Sequence, residues 1–167
     1  MAKISLGTVQ LGMNYGISNQ LGKTKESNAK EILQYALNQG INVLDTAPSY
    51  GNSEDIIGGF IHNHPCDECW RIITKTPNFK SSVISDKQID KLFESFELSQ
   101  NKLGKKNIYG LLVHECDNIF LPGGKKILDK MNQLKDDGFI KKIGVSVYSY
   151  EQLEIISNGV SIISSYT

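Results

Sequence analysis

Short apolar runs alternate with longer amphipathic stretches along almost the whole chain, and this alternation constrains the fold more than any other feature of the sequence. A first run at 4–8 precedes a loop at 12–22 that is rich in Gly and Asn. Residues 26–39 place Ala29, Ile32, Leu33, Ala36 and Leu37 at helical spacing, and Gly40 fits the stop. A strand is predicted at 41–44, then a helix capped by Ser53 with Ile56, Ile57 and Phe60 on its apolar side. The pattern repeats with a strand at 71–75 and a helix at 86–103 whose inward residues are Ile89, Leu92, Phe93 and Phe96. A strand at 109–113 follows, then a helix at 124–137 with Ile127, Leu128, Met131 and Leu134 on one stripe. A strand at 143–147, a helix at 150–157 and a sixth strand at 160–164 complete the series. Strands that alternate with helices predict a parallel sheet joined by crossover helices, and Val/Ile/Leu-rich runs suit strands buried on both faces.

That order serves either an open doubly wound sheet or a closed barrel. No G-x-G-x-x-G follows the first strand, and the polar residues of interest fall at the ends of several successive strands, which favours the barrel. A closed barrel of this kind takes eight strands and about 250 residues. The expectation is therefore a partial (β/α)8 barrel: a single domain over 1–167, six parallel strands, five to six helices, the last two βα units missing.

Lys+Arg is 18 and Asp+Glu is 18, so no net field draws in nucleic acid or an anionic membrane. No apolar run approaches the roughly 20 residues of a membrane span, and the N-terminus lacks the apolar core of a secretory signal. Cys66, Cys69 and Cys116 are an odd number in a chain large enough to need no staples, so a reduced, cytoplasmic protein is expected.

Four polar side chains lie at or just beyond C-terminal strand ends: Asp45, Tyr50, Lys75 and His114. A free phenol loses its proton only well above neutral pH. An ammonium beside it stabilises the phenolate, and a carboxylate can hold that ammonium in place. Tyr50 is thus a candidate proton donor, with Lys75 and Asp45 behind it and His114 able to donate a hydrogen bond to a substrate oxygen. The set suits protonation of a carbonyl oxygen as hydride reaches the carbon, and because no side chain supplies hydride, a nicotinamide cofactor is implied. Taken singly, each residue is more often a cap, a surface group or a structural histidine; only their joint placement at one rim outweighs that reading.

The stretch Asp45-Thr46-Ala47-x-x-Tyr50-Gly51-x-Ser53-Glu54, with a hydrophobic helix containing Gly58 after it, resembles the aldo/keto reductase family. Thr74-Lys75, the strand-ending His114, Leu6-Gly7-Thr8 through Gly12, and Ile143-Gly144-Val145-Ser146 continue the resemblance over nearly the whole chain. It implies a TIM barrel that binds NADPH in an extended pose and reduces an aldehyde or ketone. It also implies Asp45, Tyr50, Lys75 and His114 as the catalytic tetrad, and Gly7, Thr8, Asp45 and Ser146 at the cofactor. Two departures stand out. Val147 replaces the Asn that often follows the serine, and the tail Ile162-Ile163-Ser164-Ser165-Tyr166-Thr167 lacks the Gln usual near the end of the sixth strand. The seventh and eighth strands, which carry the groups that grip the cofactor phosphates, are not in this sequence, so cofactor binding is expected to be weak. The alternative expectation is a truncated, inactive relative that self-associates through open barrel edges, an assembly protein and homo-oligomer.

A second cluster, His62-Asn63-His64-Pro65-Cys66-Asp67-Glu68-Cys69, holds C-x-x-C near two histidines. All of it falls within one short loop rather than at a usual finger spacing, so a polar loop at the bottom of the barrel is expected and no metal site. Cys116 beside His114 suggests a Cys/His nucleophile, but neighbours along a strand end point apart.

Overall fold

The computed structural model describes residues 4–64 and 69–159. Five parallel strands form one sheet in chain order: β1 (Leu6–Gly7), β2 (Val43–Asp45), β3 (Arg71–Lys75), β4 (Ile108–Val113) and β5 (Ile140–Val145). Helices α1 (Val9–Gly12), α2 (Glu26–Asn38), α3 (Ser53–His62), α4 (Asp86–Leu103), α5 (Lys125–Asp136) and α6 (Tyr150–Gly159) connect or follow them. A parallel sheet whose strands lie in chain order with a helix in each connection is the arrangement of a (β/α)8 barrel over its first five units. The strand predicted at 160–164 lies outside the described residues. No helix among the described residues is long and apolar enough to cross a membrane.

The register fixes where strand ends fall. Gly7 pairs with Asp45, Asp45 with Ile73, Lys75 with Leu112 and Val113 with Val145. Each ladder runs one residue beyond the strand: Thr8 N–H donates to Asp45 O at 3.0 Å, Thr46 N–H to Ile73 O at 2.9 Å, Thr76 N–H to Leu112 O at 2.8 Å and Ser146 N–H to Val113 O at 2.9 Å. Asp45, Lys75, His114 and Ser146 are thereby brought to the same end of the sheet.

The helices bury the stripes expected of them, with exceptions. In α2, Ala29, Leu33 and Ala36 are buried, but Ile32, on the flank of that stripe, is 40% exposed. Ile56, Ile57, Phe60 and Ile61 of α3 and Leu92, Phe96 and Leu103 of α4 join one core with Ile127, Met131 and Leu134 of α5. The capping box of α4 is made by Ser85 and Gln88. Ser53 does not cap α3; Asn52 occupies that position, and the Ser53 side chain turns into the core. Residues 9–12 form a helical turn between the first predicted run and the predicted loop, overlapping that loop only at Gly12. Strand β5 begins at Ile140, three residues earlier than predicted, because Ile108 pairs with Ile140; Lys141 and Lys142 break the apolar run that marks a strand in the sequence.

Two contacts lock α3 onto its neighbours. A Cβ built on Gly58 would fall 1.9 Å from Lys102 O, so the backbones of α3 and α4 touch there. One turn earlier, Glu54, only 2% exposed, accepts hydrogen bonds from Thr74 Oγ1 of β3 at 2.7 Å and Ser99 Oγ of α4 at 3.1 Å. Burial holds the Glu54 carboxyl above its ordinary value, and the two hydroxyls only partly offset this.

These contacts give two expectations. Gly58→Ala should cost about 1–3 kcal/mol through overpacking. Gly59→Ala in the same helix, where a Cβ would meet nothing within 4 Å, should gain roughly 0.5–1 kcal/mol from helix propensity. Thermal unfolding of both variants checks the pair, and equal effects would contradict the close contact. For Glu54, the folded protein holds its proton to higher pH than the unfolded chain, so stability falls as pH rises through that window, from the ordinary carboxyl range upward. Glu54→Gln has no charge to bury, so its stability relative to wild type should climb over the same window, by about 1.4 kcal/mol for each tenfold difference in proton affinity. Urea midpoints of both proteins from acid to neutral pH test this, and parallel curves would refute it.

Candidate active site

The rim formed by the C-terminal strand ends gathers the four predicted residues. Lys75, the last residue of β3, is 4% exposed. Side chains alternate along a strand, and since Thr74 faces Glu54 in the helix layer, Lys75 faces the concave side of the sheet. There its ammonium is ion-paired with Asp45 Oδ1 and donates to Thr46 O at 2.9 Å. The same ammonium lies 4.8 Å from the centroid of the Tyr50 ring. An ammonium has three donors; Asp45 and Thr46 take two, and the third is left for the phenol side of the site.

Tyr50, half-buried, lies on the connection between β2 and α3. Its position depends on backbone contact between two loops. A Cβ on Gly12 would fall 1.7 Å from Tyr50 O, and one on Gly51, whose φ is +60°, would fall 2.3 Å from Gly12 O. Only glycine allows this approach, so the end of α1 seats directly against the Tyr50 loop. The loop is held beyond the phenol by Ser53, whose Oγ lies 2.9 Å from both Thr8 O and Thr8 Oγ1, with Thr46 Oγ1 3.3 Å away.

His114 follows β4 and is buried, with its ring edge-on to Tyr50 at 5.9 Å between centroids and 87° between planes. Its backbone N–H donates to Thr76 Oγ1 at 3.1 Å. Burial pushes the imidazole below its usual range, and the Lys75 ammonium pushes the same way, while Glu115 and Asp45 oppose. The ring is therefore neutral near pH 7 and carries one N–H donor and one acceptor. Its Nδ1 is buried without a hydrogen-bond partner.

The candidate cofactor residues fall around this group. Gly7 is exposed, and a Cβ there would meet nothing within 4 Å, so the end of β1 opens onto free space. Ser146 is half-buried just past β5. Thr8 is fully buried: its hydroxyl and its N–H both donate to Asp45 O, at 2.9 and 3.0 Å, and its carbonyl accepts from Ser53 Oγ, so it holds Asp45 from behind.

Thr46, Ser53, Glu54, Thr74, Thr76 and Ser99 were not read from the sequence as parts of the site. All six are buried polar residues, and they form the hydrogen bonds that hold the four in place. The second cluster is not assembled in the same way. His62 is exposed at the end of α3, the His64 ring sits 5.5 Å from Phe60, and Cys69 is disulfide-bonded, so the expectation of reduced cysteines does not hold there. Residues 65–68 lie outside the described residues. Among the described residues, no group of three or more His, Cys, Asp or Glu could hold a metal ion. Cys116 is free and buried, and burial with the neighbouring Asp117 pushes its thiol up, away from the thiolate a nucleophile needs.

The geometry agrees with comparisons to known proteins. The Aldo/keto reductase family profile matches residues 3–166. The aldo-keto reductase YhdN of Bacillus subtilis is 32% identical over 157 residues, 92% of this chain and 45% of that protein. A crystal structure from Pseudomonas aeruginosa assigned to the aldo-keto reductases superposes with a TM-score of 0.72 at 28% identity, covering 90% of this chain and 57% of that one. An aldo/keto reductase structure from Klebsiella pneumoniae in complex with NADP and acetate shares the fold at a TM-score of 0.67 and 19% identity, over 93% of this chain and 49% of its own. The chain thus spans about half the length of the relatives it matches. Profile, fold and clustered strand-end residues agree: this chain belongs to the aldo/keto reductase family.

Proposed function

We propose that the chain carries the acid–base half of a carbonyl-reducing site, with Tyr50 as the proton donor and NADPH as the reductant. The observation that carries this reading is the Lys75 ammonium, buried and held by Asp45 and Thr46 against the Tyr50 ring while His114 closes the other side. The NADP in the Klebsiella relative supports the choice of cofactor. The residues fit such a group. The open space at Gly7 admits a planar ring beside the rim, and the Ser146 hydroxyl lies at the end of β5 where a carboxamide could be held. Gly7, Ser146 and Asp45 would line it, with Thr8 holding Asp45 from behind, and a small aldehyde or ketone would lie between it and Tyr50.

A nicotinamide held there would supply hydride to the carbonyl carbon. The Tyr50 hydroxyl gives its proton to the carbonyl oxygen, so C=O becomes CH–OH. Lys75 stabilises the phenolate left on Tyr50, and Asp45 and the Thr46 carbonyl keep that ammonium from turning away. His114, neutral through burial, donates to the carbonyl oxygen and orients it without competing as an acid.

Self-association is the second reading, favoured by the outer strands. Among the described residues, β1 is hydrogen-bonded to β2 alone and β5 to β4 alone, and Ile4 beside β1 is 58% exposed. In this reading the chain is an inactive relative that covers its sheet edges with a second copy.

Consumption of NADPH with a panel of aldehydes and ketones tests the first reading. Tyr50→Phe should abolish turnover without lowering the unfolding temperature, and Lys75→Met should reduce it by about 10²–10⁴-fold. Half-saturation is expected only at high NADPH. A Tyr50→Phe variant as active as wild type would end the assignment. Light scattering over a concentration series tests the second reading, which expects a dimer or larger species; a monodisperse monomer of 18.6 kDa with one cooperative unfolding transition would exclude it.

A further inference from the structure

Glu54 takes no part in the proton transfer described above, yet it is the carboxylate most deeply placed in the helix layer behind that chemistry. Burying such a group is costly unless its hydrogen bonds return something an apolar side chain could not give. An apolar contact fills space but lets its partners slide; a carboxylate that accepts two hydroxyls fixes distance and direction. The two hydroxyls belong to different elements. Ser99 lies on α4, so its bond at 3.1 Å ties helix to helix. Thr74 lies on β3, and its bond at 2.7 Å ties helix to strand.

The second tie coincides with the chemistry. Glu54 follows Tyr50 by four residues, in the first turn of α3, and Thr74 is the residue before Lys75. The path from phenol through Glu54 and Thr74 to ammonium is therefore closed by a single hydrogen bond. The leading end of the Tyr50 segment is already fixed by Thr46 N–H to Ile73 O at 2.9 Å, and Ser53 holds the trailing end to Thr8. Neither of these reaches the end of β3 from the far side of the phenol; Glu54 does. We infer that Glu54 is a positioning residue that sets the separation of Tyr50 and Lys75 by tying the start of α3 to the end of β3. The inference deepens the proposed acid–base reading and rests on it.

Three substitutions separate this role from a structural one. Thr74→Val cuts the strand tie at nearly constant volume, Ser99→Ala cuts only the helix tie, and Glu54→Gln keeps an acceptor for Thr74 without the charge. The first readout is ¹³Cζ-tyrosine NMR on the whole chain, with the Tyr50 resonance identified as the one lost in Tyr50→Phe. Thr74→Val should move that resonance in the direction produced by Lys75→Met. Ser99→Ala should leave it in place while lowering the unfolding temperature, and Glu54→Gln should keep it near the wild-type position. The second readout is kinetic: Thr74→Val should lower kcat roughly tenfold or more with KM little changed, because misplacement of a reacting group acts on the chemical step. Glu54→Gln should stay within about threefold of wild type. An unmoved resonance in Thr74→Val, or an equal shift in Ser99→Ala, would overturn the inference. The resonance reports geometry whether or not the protein turns over, so a failure of the acid–base reading shows in Tyr50→Phe activity alone.

Discussion

The site depends on one buried cation. Lys75 ends a strand in the middle of the sheet with almost none of its side chain in water. A buried ammonium without partners would be several kcal/mol too costly to keep. Its compensation comes from β2: the Asp45 carboxylate and the Thr46 carbonyl, at the end of the adjacent strand. The parallel register that pairs Asp45 with Ile73 leaves Lys75 two residues further along, within reach of both. Sheet geometry and electrostatics therefore agree, and the Tyr50 loop has only to fold over an ammonium already in place.

The order of elements was legible because hydrophobic periodicity carries it. The strand at 71–75 and the helix at 86–103 match the observed β3 and α4 end to end. Boundaries failed where another interaction outweighed the local pattern. Two lysines hide the start of β5, whose extent is set by pairing with β4 rather than by its own composition. Ser53 has the chemistry of a helix cap, but a buried bond to Thr8 claims its hydroxyl, and nothing within a few residues of Ser53 announces a partner 45 positions away. Ile32 has the spacing of a core residue, yet it lies on the flank of the narrower stripe that Ala29, Leu33 and Ala36 bury.

The four strand-end residues were legible because ionisable groups at the close of apolar runs are conspicuous. Their supports were not. Thr74 reads as one more β-branched strand residue, and Thr46 as part of a turn. Ser99 did leave a trace: Leu92, Phe96, Ser99 and Leu103 continue one helical stripe, and a hydroxyl on such a stripe needs a buried partner. That the partner is Glu54 becomes visible only once α3 and α4 are packed, because Gly58 lets their backbones touch one turn away.

The period of the strand explains how supports and site can be adjacent in sequence yet separate in space. Thr74 and Lys75 are neighbours, so their side chains leave β3 on opposite faces, one toward the helix layer and one toward the concave rim. Polar groups on the helix side never compete with a substrate for hydrogen bonds, and the rim is not crowded by the apparatus that holds it. The cost is that both faces share one backbone. A shift of β3 driven from the helix layer displaces the ammonium by a similar amount, and β3 is the strand on which both the Asp45–Lys75 pair and the Glu54–Thr74 bond converge. Packing in the helix layer and the geometry of the rim are thus coupled through the last two residues of a single strand.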